Sequence, residues 1–136
     1  MVGGWGDDEV RYSDVQVARI REDGSLSGWR RSGQPLYREQ YGHTVIVLDE
    51  GAGATVFILG GSVGDGQYVN DVQVAQVRQG STSSWKLLSP PVSLPVPCAM
   101  HASCHHRDKD ILYVIGGSTL GSNLDDVRYV RLPLGK

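Results

Sequence analysis

One phrase occurs three times in this 136-residue chain, and the spacing of its copies limits the fold more than any other feature. It reads GGWGDDEVRYSDVQVARI from Gly3 to Ile20 and GGSVGDGQYVNDVQVAQV from Gly60 to Val77. A more worn copy, GGSTLGSNLDDVRYVRL, runs from Gly116 to Leu132. Gly4, Gly61 and Gly117 stand 57 and 56 residues apart. Asp14, Asp71 and Asp126 each open an Asp-Val pair and stand 57 and 55 apart. Trp29 and Trp85 are separated by 56 residues, and His43 and His101 by 58. Markers that hold nearly one period identify an internal repeat. A unit of this size buries its apolar faces against its neighbours.

Each period resolves into strands. HTVIVLD (His43 to Asp49), with its β-branched apolar run, reads as a strand. TVFILGG (Thr55 to Gly61) is continuously apolar, which predicts a strand buried on both faces. After the loop SVGDGQYVN comes DVQVAQV (Asp71 to Val77), then a turn and SWKLLS (Ser84 to Ser89). The run PPVSLPVP reads as an exposed connector, because proline cannot sit in a central ladder. The next unit keeps the order with SCHHR, the turn DKD, ILYVIGG, a loop and DVRYVRL. No helical period occurs, so one antiparallel four-stranded sheet per repeat is expected. Alternation in DVQVAQV slips between Val74 and Ala75, and the first copy slips between Val17 and Ala18. A bulge or burial on both faces would produce this.

The paired glycines Gly3-Gly4, Gly60-Gly61 and Gly116-Gly117 are structural in this reading. They allow positive φ at a strand end and the close approach of an aromatic ring. Trp29 and Trp85 are expected to supply apolar mass between sheets. His43 and His101 recur at equivalent positions, which points to architecture, since a catalytic histidine is usually unique in its site.

Composition narrows the function classes. Eighteen glycines and six prolines among short β-branched runs fit turns between strands. A net charge of -2 supplies no basic field, so nucleic acid is not an expected partner. No apolar run approaches the roughly 20 residues of a membrane helix. Met1 is followed by Gly3-Gly4-Trp5 and Asp7-Asp8-Glu9, without the charged and apolar regions of a signal peptide. The compartment is left open.

The densest cluster of reactive side chains is CAMHASCHH, with Cys98, His101, Cys104, His105 and His106. It aligns with the strand at His43, so alternation sends Cys98, Cys104 and His106 to one face and His101 and His105 to the other. One tetrahedral zinc site cannot easily collect both sets. No metal, cofactor or catalytic residue is expected. Asp7, Asp8 and Glu9 lack the spacing of a calcium loop and read as a solvated loop.

FILGG and YVIGG, each followed by a loop, an Asp-Val strand start and (for the first) Trp85 at 24 residues beyond Gly61, resemble the kelch-repeat β-propellers. GSLSGW, ending at Trp29, fits the turn before that tryptophan. The resemblance implies an all-β, kelch-like β-propeller fragment of about two and a half four-stranded antiparallel blades. The segments would be a partial blade at 1–36, a complete blade at 37–92 and a partial blade at 93–136. It implies a non-enzymatic scaffold that binds a protein partner through loops, as a segment of a longer propeller. The candidate binding residues are Tyr37, Arg38 and Gln40 in the connector and Asp65, Gln67 and Tyr68 in the loop. Self-association through exposed blade faces is a further expectation. The alternatives are a piece of a propeller enzyme of copper-oxidase or sugar-isomerase type, or a lectin in which Trp5 stacks on sugar rings.

Overall fold

The computed structural model describes residues 1–88 and 92–132, and the fold is all-β with antiparallel sheets, none of them closed. The first sheet joins β1 (Val2–Trp5), β2 (Arg11–Val17) and β3 (Arg30–Arg31), in that order. The second contains β4 (Thr44–Asp49) and β5 (Ala54–Leu59), followed by a small hairpin, β6 (Ser62–Gly64) and β7 (Gln67–Tyr68). It continues with β8 (Val72–Arg78), β9 (Ser81–Thr82) and β10 (Lys86–Leu87). Its order is β10-β8-β5-β4, with β9 pairing to β8. The third sheet is β11 (Ala102–His106), β12 (Ile111–Thr119) and β13 (Ser122–Arg131), with a single 3-10 turn at Arg107–Lys109. Ser89, the end of the expected fourth strand, and Pro90 and Pro91 of the expected connector lie outside the described residues.

The sheets stack face to face through two apolar clusters. Val15 of the first sheet packs with Val56, Ile58, Ala75 and Trp85 of the second. Ile46, Phe57, Leu59 and Val72 on the other side of the second sheet pack with Leu112, Val114 and Val130 of the third. Strand β5 therefore sends alternate residues to opposite clusters, and each buried side chain contributes about 1.5–3 kcal/mol. This also explains the slip in DVQVAQV. The pairing of β5 with β8 runs without a shift from Leu59↔Val72 to Ala54↔Val77. Val72 joins the cluster on one side and Ala75 the cluster on the other, so two-sided burial, not a bulge, produces the pattern.

Three expectations need correction. The connector after Trp85 is exposed only in part: Pro95 and Pro97 are exposed, whereas Val92 and Leu94 pack into the cluster between the second and third sheets, as Leu36 packs into the cluster between the first and second. The loop at Gly64-Asp65-Gly66-Gln67 folds into the β6–β7 hairpin. Asp65 and Gly66 both have positive φ, 51° and 69°, as a type I′ turn requires. In the third unit no loop separates the glycine pair from the Asp-Val strand. Pairing continues to Thr119↔Ser122, with Leu120 and Gly121 as a two-residue turn.

Candidate interaction surface

The glycine pairs share one geometry, which fixes the end of the molecule where the connectors cross. The φ values are 56° and 121° at Gly3-Gly4, 60° and 118° at Gly60-Gly61, and 62° and 99° at Gly116-Gly117. A Cβ on Gly60 would lie 2.6 Å from the Cys98 carbonyl oxygen and 3.0 Å from His101 Cε1. On Gly3 it would meet the Gln40 carbonyl oxygen and His43 Cε1 in the same way. The ring that approaches the glycine backbone is thus a histidine, not a tryptophan.

Both histidines bridge neighbouring sheets. His43 Nε2 donates to the Val2 carbonyl at 3.0 Å. His101 Nε2 hydrogen-bonds Thr44 Oγ1 at 3.0 Å, and its Nδ1 lies 3.5 Å from Cys98 Sγ. Burial holds both imidazoles below the ordinary histidine pKa, and both are therefore neutral at pH 7.

Gln40 belongs to this bracing and not to the surface. It is 1% exposed; its Nε2 donates to the Gly60 carbonyl, and its Oε1 accepts from Gln73 Nε2 at 2.7 Å. Gln73 Oε1 in turn accepts the Tyr37 backbone N–H. Gln40 is therefore not the partner-binding residue expected of the connector: a buried amide with these partners cannot reach a partner. In the next repeat Cys98 and Arg128 stand at the corresponding positions, and Arg128 Nη2 donates to the Gly116 carbonyl at 2.6 Å. Burial raises the Cys98 thiol pKa.

The other candidates lie at the connector end. Tyr37 is 59% exposed, with the Arg38 guanidinium 5.3 Å from its ring centroid. Arg38 is fixed by Asp71 at 2.7 Å. Asp65 and Gln67 are exposed at the tip of the β6–β7 hairpin, and Tyr68 is half-buried beside it. One pair was not foreseen: Trp5, 60% exposed, stacks on Tyr41 with centroids 5.3 Å apart and planes at 28°. Tyr41 is held by paired backbone bonds to Ser62. Its position before the repeated histidine was the available signal, but only the sheet stacking brings Trp5 to it. Met100 follows the equivalent bridge, Ala99 to Ser118, and stands at φ 55° where the earlier repeat has Gly42 at 67°.

The two tryptophans diverge. Trp85 is 7% exposed in the cluster between the first two sheets, as expected of core. Trp29 is 55% exposed and does not serve as core. It directly precedes β3, whose first residue, Arg30, has its guanidinium over Gly80 of the second sheet, and an extended chain turns successive side chains to opposite faces. Trp29 therefore faces away from the stack, where no described sheet covers it.

In the cysteine–histidine segment, Ala102, Cys104 and His106 occupy one face of β11, and Ser103 and His105 the other. Cys98 is buried before the strand begins, and both cysteines are free. The Asp8 carboxylate accepts the Val10 N–H and raises the Tyr12 phenol pKa. No family model and no curated protein matches this chain.

Proposed function

We propose that this chain is a segment of a kelch-type β-propeller that works as a non-enzymatic binding module, engaging a protein partner through the connector end of its sheets. The observation that carries this reading is the exposed Trp5–Tyr41 stack, with Tyr37 and Arg38 on the same connector. Aromatic and arginine side chains dominate binding energy at protein interfaces. They act best on a rigid support, and backbone bonds between sheets supply one here: Gly4 N to Gln40 O and Gly61 N to Cys98 O. Loops positioned by packed sheets lose little conformational entropy on binding.

The test compares four immobilised chains: wild type, Trp5→Ala, Tyr68→Ala, and Glu22→Ala in an exposed turn at the other end of the first sheet. A protein retained by wild type and Glu22→Ala but lost from the other two supports the reading. Equal retention by all four overturns it. The same indole exposure favours a second reading, a sugar-stacking surface. Quenching of tryptophan fluorescence by glycans, absent in Trp5→Ala, would select that reading.

A further inference from the structure

One sheet position has three different fates in the three repeats. The valine after the repeated aspartate is Val15, Val72 and Val127. Val15 is 8% exposed, Val72 is fully buried, and Val127 is 61% exposed. The neighbouring positions agree. Leu59 and Ile115 each precede a glycine pair, and their exposures are 0% and 44%. Phe57 and Ile46 are core, whereas their counterparts Tyr113 and Cys104 lie on an open face. Register joins that face into one patch: Cys104↔Tyr113↔Tyr129 across the three strands, and Ala102↔Ile115↔Val127 beside it.

The molecule itself indicates what covers such a face. Val15 is covered by the near side of the second sheet, including Trp85. Val72 is covered by the near side of the third. In both cases the cover is the opposite side of a sheet built from the same repeat. Among the described residues, the outward side of the first sheet is such a side and is open, with Gln16 and Trp29 at the positions of Gln73 and Trp85. Trp85 is buried and Trp29 is exposed, so the two halves of an interface already formed twice are both present and both unpaired.

We propose that the open face of the third sheet docks onto the outward side of the first sheet of a second copy of this chain, with Trp29 of one copy against Val127 of the other. The proposal rests on the repeat and does not depend on a partner at the connector end. A head-to-tail contact of this kind is heterologous and builds open oligomers unless the rotation closes. Strands β1 and β3 have 4 and 2 residues, so the first sheet covers less than the roughly 800 Å² per partner of a standard interface. Association is therefore weak and rises with concentration.

Sedimentation velocity of the full chain tests this with two variants at exposed positions, Val127→Lys and Trp29→Gln. Far-UV circular dichroism and the thermal midpoint confirm that each keeps the fold. The wild-type mass should grow with concentration, and each variant alone should lose that growth. An equimolar mixture should form a species of twice the chain mass, because Val127→Lys retains the first-sheet side and Trp29→Gln the third-sheet face. A wild type that stays monomeric at the highest attainable concentration overturns the proposal. Trp29→Gln that still associates overturns it too, since the third-sheet face would then pair with itself or with another surface. A well-folded mixture that stays monomeric does the same.

Discussion

Trp85 and Trp29 occupy the same place in the repeat, so replacing each by alanine isolates the effect of packing. A tryptophan side chain buries about 150–250 Å² when enclosed. At 7% exposure Trp85 loses nearly all of that to solvent on unfolding, worth about 5 kcal/mol at 25 cal/mol/Å². A realistic unfolded chain already hides part of this area, which brings the figure down by roughly 10–40%. The Trp85 indole N–H is buried without a hydrogen-bond partner among the described residues, a cost that alanine removes. Trp85→Ala should therefore destabilise by about 3–4 kcal/mol, within the usual span for such truncations. Trp29, at 55% exposure, should by the same reckoning cost about 1.5–2 kcal/mol, roughly half as much. Urea unfolding of monomeric samples, followed by far-UV circular dichroism because the indole is being removed, gives both values. Equal costs for the two variants, or a Trp85→Ala change within about 0.5 kcal/mol of zero, would refute the packing argument.

Three further outcomes are expected. His43 and His101 are held neutral by burial, so their folded pKa values lie below the unfolded value of about 6.5. As pH falls through that value the unfolded chain takes up protons that the folded chain refuses, and stability drops; a urea midpoint that is flat or rising from pH 7.5 to pH 5.5 would contradict this. Gly60→Ala places a methyl 2.6 Å from the Cys98 carbonyl at φ 60°, whereas Gly121→Ala meets nothing within 4 Å at φ 78°. Both carry left-handed strain of about 1–2 kcal/mol, so calorimetry should find Gly60→Ala clearly the more damaging. Under native conditions a thiol reagent should modify the exposed Cys104 quickly and the buried Cys98 only on unfolding; two equally fast thiols would show that the stacking around Leu94 is wrong.

Much of the fold was legible from local pattern. Runs of apolar, β-branched residues and the glycine pairs gave the long strands β4, β5 and β8 of the middle sheet to within a residue or two, because strand propensity and positive φ are properties of neighbouring residues, whereas β9 lies in a segment that reads as a turn. The β6–β7 hairpin was legible too, in Asp65-Gly66, although it reads as an undivided loop when only hydrophobicity is followed. The site was less legible. Gln40 looks like any polar connector residue, and its burial follows from Gln73 and Gly60, 33 and 20 residues away.

The sequence by itself determined the repeat, the all-β class and the two-sided burial of TVFILGG, since these depend on spacing and on the chemistry of consecutive residues. Only the tertiary structure decided what each copy of a repeated residue does. Val15, Val72 and Val127 have the same side chain on the same kind of strand, as Trp29 and Trp85 do, and no local rule separates them. Their burial depends on whether another sheet lies above: Val15, Val72 and Trp85 have that neighbour on the inner faces of the stack, while Val127 and Trp29 on its outer faces do not.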